Sequence, residues 1–487
     1  MGAHRDTRSG ILEVRRRFWF AIATLIWAAC AGAPVTGTGA APTPPVALAI
    51  QPPGIASISP APAAQSAGGS DWTVYHQDPT HRGIGPSTPN LGAAQVIWTA
   101  SLDGEVYGEP LAIGQTVLVV TENDTVYALD AASGGTIWSQ HLGDPVPLSE
   151  LPCGNIDPSG LTATPVIDPS TGVLYVVGRV EPTHHELVAL DIASGAVLFR
   201  ETIDPQGADP RYLQERGALA LANGEVYVPF GGNLGDCGPY TGWVIAAAAD
   251  GSGITNTYSV PTQREAAIWA PSGMPVDADG TLLVATGNGA SFNSSNFDYG
   301  NAVIRLSADL QVLDYWAPSD WASLSRTDTD IGSIGPALLD NDQVFQTGKN
   351  GEGYLLRASQ LGGIGGELFS SKICDASFGG TAFQSPFVYV PCTDQLVALN
   401  TTSGSFSVAW RVMQSGLYAP ILAYGSLWTI NGGAAELLQI DPTSGTVVGH
   451  YPLGGPIVAH FVTPTATNGL IIAPSGHGVT AFGAGSS

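Results

Sequence analysis

The segment ALDAASGGTIW at 128–138 comes back as ALDIASGAVLF at 189–199, as ALNTTSG at 398–404, and as LQIDPTS ahead of Gly445. A turn rewritten along one chain is the mark of a repeat architecture. Each copy sits inside a unit of four apolar runs. In the first unit these are EPLAIG, QTVLVVTEN, DTVYALDAASG and GTIWSQHLG. The runs are parted by Gly, Asn, Asp or Ser pairs, which is hairpin punctuation. Four antiparallel strands per unit make a propeller blade. Units fall at about 104–143, 160–204, 214–260, 265–318, 331–373, 376–413 and 416–454, with an incomplete one at 457–487. The missing outermost strand is found near the other end of the chain, in AAQVIWTASLDG at 93–104. The expected fold is all-β: an eight-bladed β-propeller over 71–487, closed by its N-terminal strand so that no sheet edge stays open.

The recurring turn has a mechanical role. Its Asp and Ser cap backbone N–H groups between third and fourth strands. Gly134 and Gly195 supply the positive φ the turn needs. The large residue four positions later, Trp138 or Phe199, packs across the gap between blades. These residues are therefore read as core, not as catalysts.

Composition limits the partners. Of 487 residues, 17 are basic and 41 acidic, for a net charge of −24. Such a surface excludes nucleic acid, whose phosphates need basic patches. Residues 1–33 join a basic stretch (MGAHRDTRSGILEVRRR) to 16 apolar residues, the pattern of an export signal peptide or signal anchor. RRRFWF at 15–20 partly matches a twin-arginine signal. Residues 34–70 carry no charge and are rich in Pro, Ala, Gly and Ser, which reads as a disordered linker. The expected location is secreted or in the cell envelope, with membrane contact only through the signal or a lipid on Cys30. The other four cysteines suit an oxidising compartment. Cys374 and Cys392 flank about one hairpin and form the expected pair, which leaves Cys153 with Cys237. Four buried free thiols are the alternative.

ALDAASGGTIW resembles the tryptophan-docking motif of PQQ-type propeller repeats, and DWTVYHQDPTHRG at 71–83 resembles their lead-in. That family includes quinoprotein alcohol dehydrogenases and the outer-membrane assembly lipoprotein BamB. The resemblance implies PQQ and Ca²⁺ at the mouth of the channel. TGNGASFNSSNFDYGNAV (286–303) resembles the segment whose Asn ligates calcium, here Asn288. SRTDTDIGSIGPALL (325–339) resembles the one carrying a catalytic Asp, which points to Asp330, with Asp328 and Asp320 as alternatives. FQTGKNGEGYLL (345–356) places Lys349 where a cation contacts the quinone oxygen. In GGNLGDCGPYTGW (231–243), Asp236 is the one acid where a Glu ligand of the metal is expected. Arg216 and Trp269 complete the cofactor contacts.

Each of these residues has a plainer reading: a Gly/Asn-rich turn, an Asx cap on a strand beginning near Ile331, an Asn-Gly hairpin, or a buried structural ion pair for Arg216 or Arg264. The chain departs from the quinoprotein pattern in having no adjacent Cys-Cys pair. It has no CxxCH, so no covalent haem is expected. His184 and His185, just before a strand, are read as surface. Two functions follow: an oxidoreductase acting on a small-molecule alcohol, or a non-catalytic envelope propeller binding a protein or saccharide.

Overall fold

The computed structural model describes residues 71–485 except 403 and 458. The expected export signal (1–33), Cys30 and the expected linker (34–70) lie outside the described residues. Eight sheets are present, built from short strands in meander order. In the first blade, Leu111–Ile113, Thr116–Thr121, Thr125–Asp130 and Thr136–His141 pair antiparallel in sequence order. Burial declines outward: Thr116–Thr121 is almost wholly buried, while Thr136–His141 alternates between exposed and half-buried. The outer strand is thus the solvent-facing one.

The last blade closes the ring as expected. Ala94–Ser101 pairs antiparallel with Gly478–Ala484, from Ala94 opposite Ala484 to Ser101 opposite Gly478. The recurring turn locks neighbouring blades. Asp130 Oδ1 accepts from Ser133 N at 2.9 Å and from Ser133 Oγ at 2.6 Å. Asp191 accepts from Ser194 N in the same way at 2.8 Å. Trp98, on the closing strand, lies on Gly134 of the first blade and donates to Ala131 O at 2.9 Å. Trp138 repeats this one blade on, over Gly195, with a bond to Ile192 O at 2.8 Å. Gly195 has φ +73°, and a Cβ there would stand 2.6 Å from the Trp138 ring. Gly195→Ala should therefore cost about 2–4 kcal/mol, from left-handed strain plus overpacking. A lower urea midpoint at unchanged m-value would show it.

The lead-in plugs one end of the channel. Its backbone bonds to the inner edges of several blades: Trp72 to Ala112, Thr73 O to Ile167 N, Pro79 O to Val276 N, Arg82 O to Phe383 N and Gly83 O to Leu422 N. Trp72 is fully buried and donates to Glu109 Oε1 at 2.9 Å. Burial lowers the pKa of both His76 and His81 to about 3, so they enter the plug neutral.

Three features differ from expectation. The unit expected at 265–318 has an inner position reduced to one bridge, Val276 to Leu282. It gains a parallel edge strand, Gly363–Ile364, from an insertion in the next blade. Helix α1 (Trp321–Thr327) precedes Asp330, and the following strand begins at Ala337 instead of near Ile331. At seven residues the helix is too short for its apolar face to register as a period in the sequence. His185 is buried, not on the surface. Its Nδ1 lies 2.8 Å from Asp204 and its ring edge meets Phe230, while His184 is half-buried. Both belong to a strand, His184–Asp191, and alternation sends neighbours to opposite faces.

Asp124 is fully buried in the hairpin turn of the first blade. Burial, then the charges of Glu122 and Glu186, push its pKa up to about 9. From the ordinary carboxylate range up to about pH 9 the folded chain holds a proton that the unfolded chain has released. Stability therefore falls as pH rises across that window, by up to about 1.4 kcal/mol per pH unit. Chemical denaturation at pH 7 and pH 9 should show the loss, and Asp124→Asn should flatten it.

Candidate functional site

Backbone packing without side chains brings the site together. Asn288, Asp330 and Lys349 come from three loops, each with a glycine within two residues: Gly287, Gly332 and Gly348. A Cβ on Gly332 would stand 2.5 Å from Gly287 N, and one on Gly348 would stand 2.4 Å from Ile331 Cα. Lys349 N bonds to Asp330 O at 2.8 Å and Gly287 N to Ala267 O at 2.9 Å. The loops are thus nested at van der Waals limits, and Asn288, Asp330 and Lys349 project from them into one space.

That space is a cavity of about 210 Å³. Asn288, Asp328, Asp330, Lys349, Trp269, Arg216 and Asp236 all line it. The first five touch. Lys349 Nζ lies 2.6 Å from Asp330 Oδ2 and 2.7 Å from Asp328 Oδ1. Asn288 Nδ2 donates to Asp328 Oδ1 at 2.8 Å and lies 3.5 Å from Asp330 Oδ2. Trp269 Nε1 donates to Asp330 Oδ1 at 3.3 Å, and Lys349 Nζ sits 5.5 Å from the Trp269 ring centre. Asp330 is 1% exposed. Burial raises its pKa against the opposing charge of Lys349. At Lys349 burial disfavours the charge, but Asp330 and Asp328 outweigh it and the pKa is raised. The ammonium is therefore held charged, and Asp330 is a stronger base than an exposed carboxylate.

Arg216 and Asp236 stand on other walls of the cavity. Arg216 is buried between the rings of Phe461 (5.1 Å) and Tyr107 (5.7 Å) and donates to His460 O at 3.1 Å. It makes no ion pair among the described residues, so the structural ion-pair reading fails for it. Arg264 does pair, with Glu265, but is half exposed rather than buried. Asp236 accepts from the Tyr240 hydroxyl. Asp320 is exposed at the start of α1 and does not line the cavity. The disulfides are Cys153–Cys237 and Cys374–Cys392. The first ties the loop bearing Asn155 to the loop bearing Asp236, both of which line the cavity.

Sequence reasoning missed Glu265, Tyr240, Phe378, His460 and Phe461, which also line the cavity. Burial raises the Glu265 pKa, opposed by Arg264 and reinforced by Asp236 and Asp328, so three acids share this rim. Glu265 and Phe461 hold positive φ without being glycine, which no motif announces.

A family model described as outer membrane protein assembly factor BamB matches residues 91–360, more than half of the chain. The chain belongs to this BamB-type family of PQQ-repeat propellers. Curated relatives include a polyvinylalcohol dehydrogenase of Sphingopyxis sp. (strain 113P3), 23% identical over 44% of this chain and 33% of that one. Another, from Pseudomonas sp, is 22% identical over 70% of this chain and 58% of its own. The chain thus spans from a third to somewhat over half of these relatives. Among solved structures, the quinohemoprotein alcohol dehydrogenase of Comamonas testosteroni superposes with a TM-score of 0.70 at 14% identity, covering 87% of this chain and 82% of that one. BamB of Moraxella catarrhalis gives 0.54 at 13%, covering 80% and 98%. At such identities these members of the propeller class share the fold alone.

Proposed function

We propose that this chain is an exported quinoprotein-type alcohol dehydrogenase, with PQQ and Ca²⁺ held at the channel mouth. The observation that carries the reading is the convergence of Asn288, Asp330 and Lys349 beside Trp269 in one cavity. The donor set fits a hard cation: the carboxylates of Asp328 and Asp330 flank one positive charge, the Lys349 ammonium, and the Asn288 amide, which donates to Asp328, would offer its oxygen to a metal on turning over. Asn288 would hold the metal, with Asp236 the nearest match to the further acid that the motif calls for. Trp269 offers a flat apolar face, and Arg216 a buried cation for a carboxylate. The bound quinone supplies a two-electron acceptor. Asp330, buried and of raised basicity, takes the proton of the alcohol hydroxyl. Lys349 presents positive charge to a carbonyl oxygen that gains electron density. Two disulfides support a location outside the cytosol.

The full chain, loaded with PQQ and Ca²⁺, should reduce an artificial dye only when an alcohol is added. Small primary and secondary alcohols and polyvinyl alcohol, the substrate in the relatives' names, form the panel. A loaded protein that reduces no dye with any of them would favour a binding propeller of the envelope, a reading supported by the BamB family match.

A further inference from the structure

A second cavity, of about 180 Å³, adjoins the candidate site and shares Asn155 with it. Asp103, Glu105, Tyr107, Glu122, Asp157 and His477 line it, and no Lys or Arg does among the described residues. Two of the four acids are already committed. Asp103 accepts from the hydroxyls of Thr121 (2.7 Å) and Thr125 (2.6 Å), and Asp157 from Leu148 N (3.0 Å).

The other two are only half used. Glu122, 2% exposed, accepts from Gly160 N (2.7 Å) and Thr162 Oγ1 (3.1 Å) through Oε2, and its Oε1 is buried with no partner. Glu105 meets His477 through Oε1 at 3.1 Å, and its Oε2 is likewise buried and unpartnered. Arg216 lies against the Tyr107 ring, but its terminal N–H groups go to His460. Both glutamates line the cavity together with the Tyr107 ring. A buried acceptor without a donor costs about 1–3 kcal/mol. An occupant bringing N–H groups and positive charge would recover it.

The spacing chooses among cations. Among the described residues, three ligand atoms of His, Cys, Asp or Glu converge within 4.8 Å only at Cys374, Cys392 and Asp394, whose cysteines form a disulfide. The acids of this cavity thus form no three-ligand cluster of side chains, and the space exceeds that of a bare ion. An ammonium group has three splayed donors, which suit two separated acceptors, and an aromatic ring attracts its charge.

We propose that this cavity binds a primary amine in its protonated form, held between Glu122 and Glu105 beside Tyr107. The site does not depend on the dehydrogenase reading.

Isothermal titration of the full chain with n-butylamine hydrochloride at pH 8 tests it. Saturable binding at one site is expected. Glu122→Gln should weaken it about tenfold, as loss of a charge-assisted hydrogen bond does. Glu105→Gln should weaken it about fivefold and serves the test if the buried variant does not fold. Asp330→Asn, in the neighbouring cavity, should leave it unchanged. Absence of saturable heat, equal binding by both glutamine variants, loss of binding with Asp330→Asn, or displacement of the amine by calcium chloride would each overturn the proposal.

Discussion

Asp330→Asn should leave a folded propeller whose alcohol-dependent dye reduction falls by about 10³- to 10⁴-fold, the upper range for loss of a general base. The substitution keeps size and shape. The single amide oxygen can accept from Trp269 Nε1 or from Lys349 but not from both, while Lys349 keeps its partner Asp328. The fold should tolerate the change because the lost group is a carboxylate whose ionisation burial already opposes. Removing one partner of a buried pair costs up to about 3–5 kcal/mol, and Asp328, which stays on Lys349, limits that loss. The signature is therefore a fall in kcat measured on protein that a lowered but cooperative unfolding transition shows to be folded. Activity within tenfold of the parent would remove Asp330 from the chemistry and shift attention to Asp328.

Trp98→Ala should cost about 3–5 kcal/mol, the usual loss for a buried Trp. The residue works on two fronts. It belongs to the closing strand, opposite Ala481, and packs with Ile472, Val479 and Val117 in the cluster joining the last blade to the first. Its ring also covers Gly134, and its Nε1 satisfies Ala131 O. Ring closure depends on this non-covalent seam, so weakening it exposes two sheet edges together. Equilibrium urea unfolding measures the loss. A change below about 1 kcal/mol would mean that the seam is held elsewhere.

These two residues also mark what a sequence reader can see. The turn that Trp98 covers is legible because it recurs, and repetition separates a fastener from a catalyst, whereas Trp98 itself lies on the closing strand outside that motif. The blade count follows from the same signal, since Gly, Asn, Asp or Ser punctuate most hairpins. Asn288, Asp330 and Lys349 are legible because the stretches around them, TGNG, TDTDIG and TGKNG, resemble quinoprotein segments. The rest of the site obeys no local rule. Glu265 and Phe461 adopt left-handed backbone without glycine, and His460 reaches Arg216 across 244 positions. Helix α1 is shorter than two turns, and the strand at Gly363–Ile364 pairs with a different blade from its own neighbours. Such features are set by tertiary contacts that the chain does not write locally.

The most direct measurement is quenching of tryptophan fluorescence as PQQ is added to the full chain, with and without Ca²⁺. Trp269 stands beside Lys349 and Asp330, so a quinone seated there must quench it. The expected result is saturable quenching that tightens with Ca²⁺ and loses that tightening in Asn288→Ala. Quenching that never saturates, or that ignores both the metal and Asn288, would contradict the assignment of this cavity.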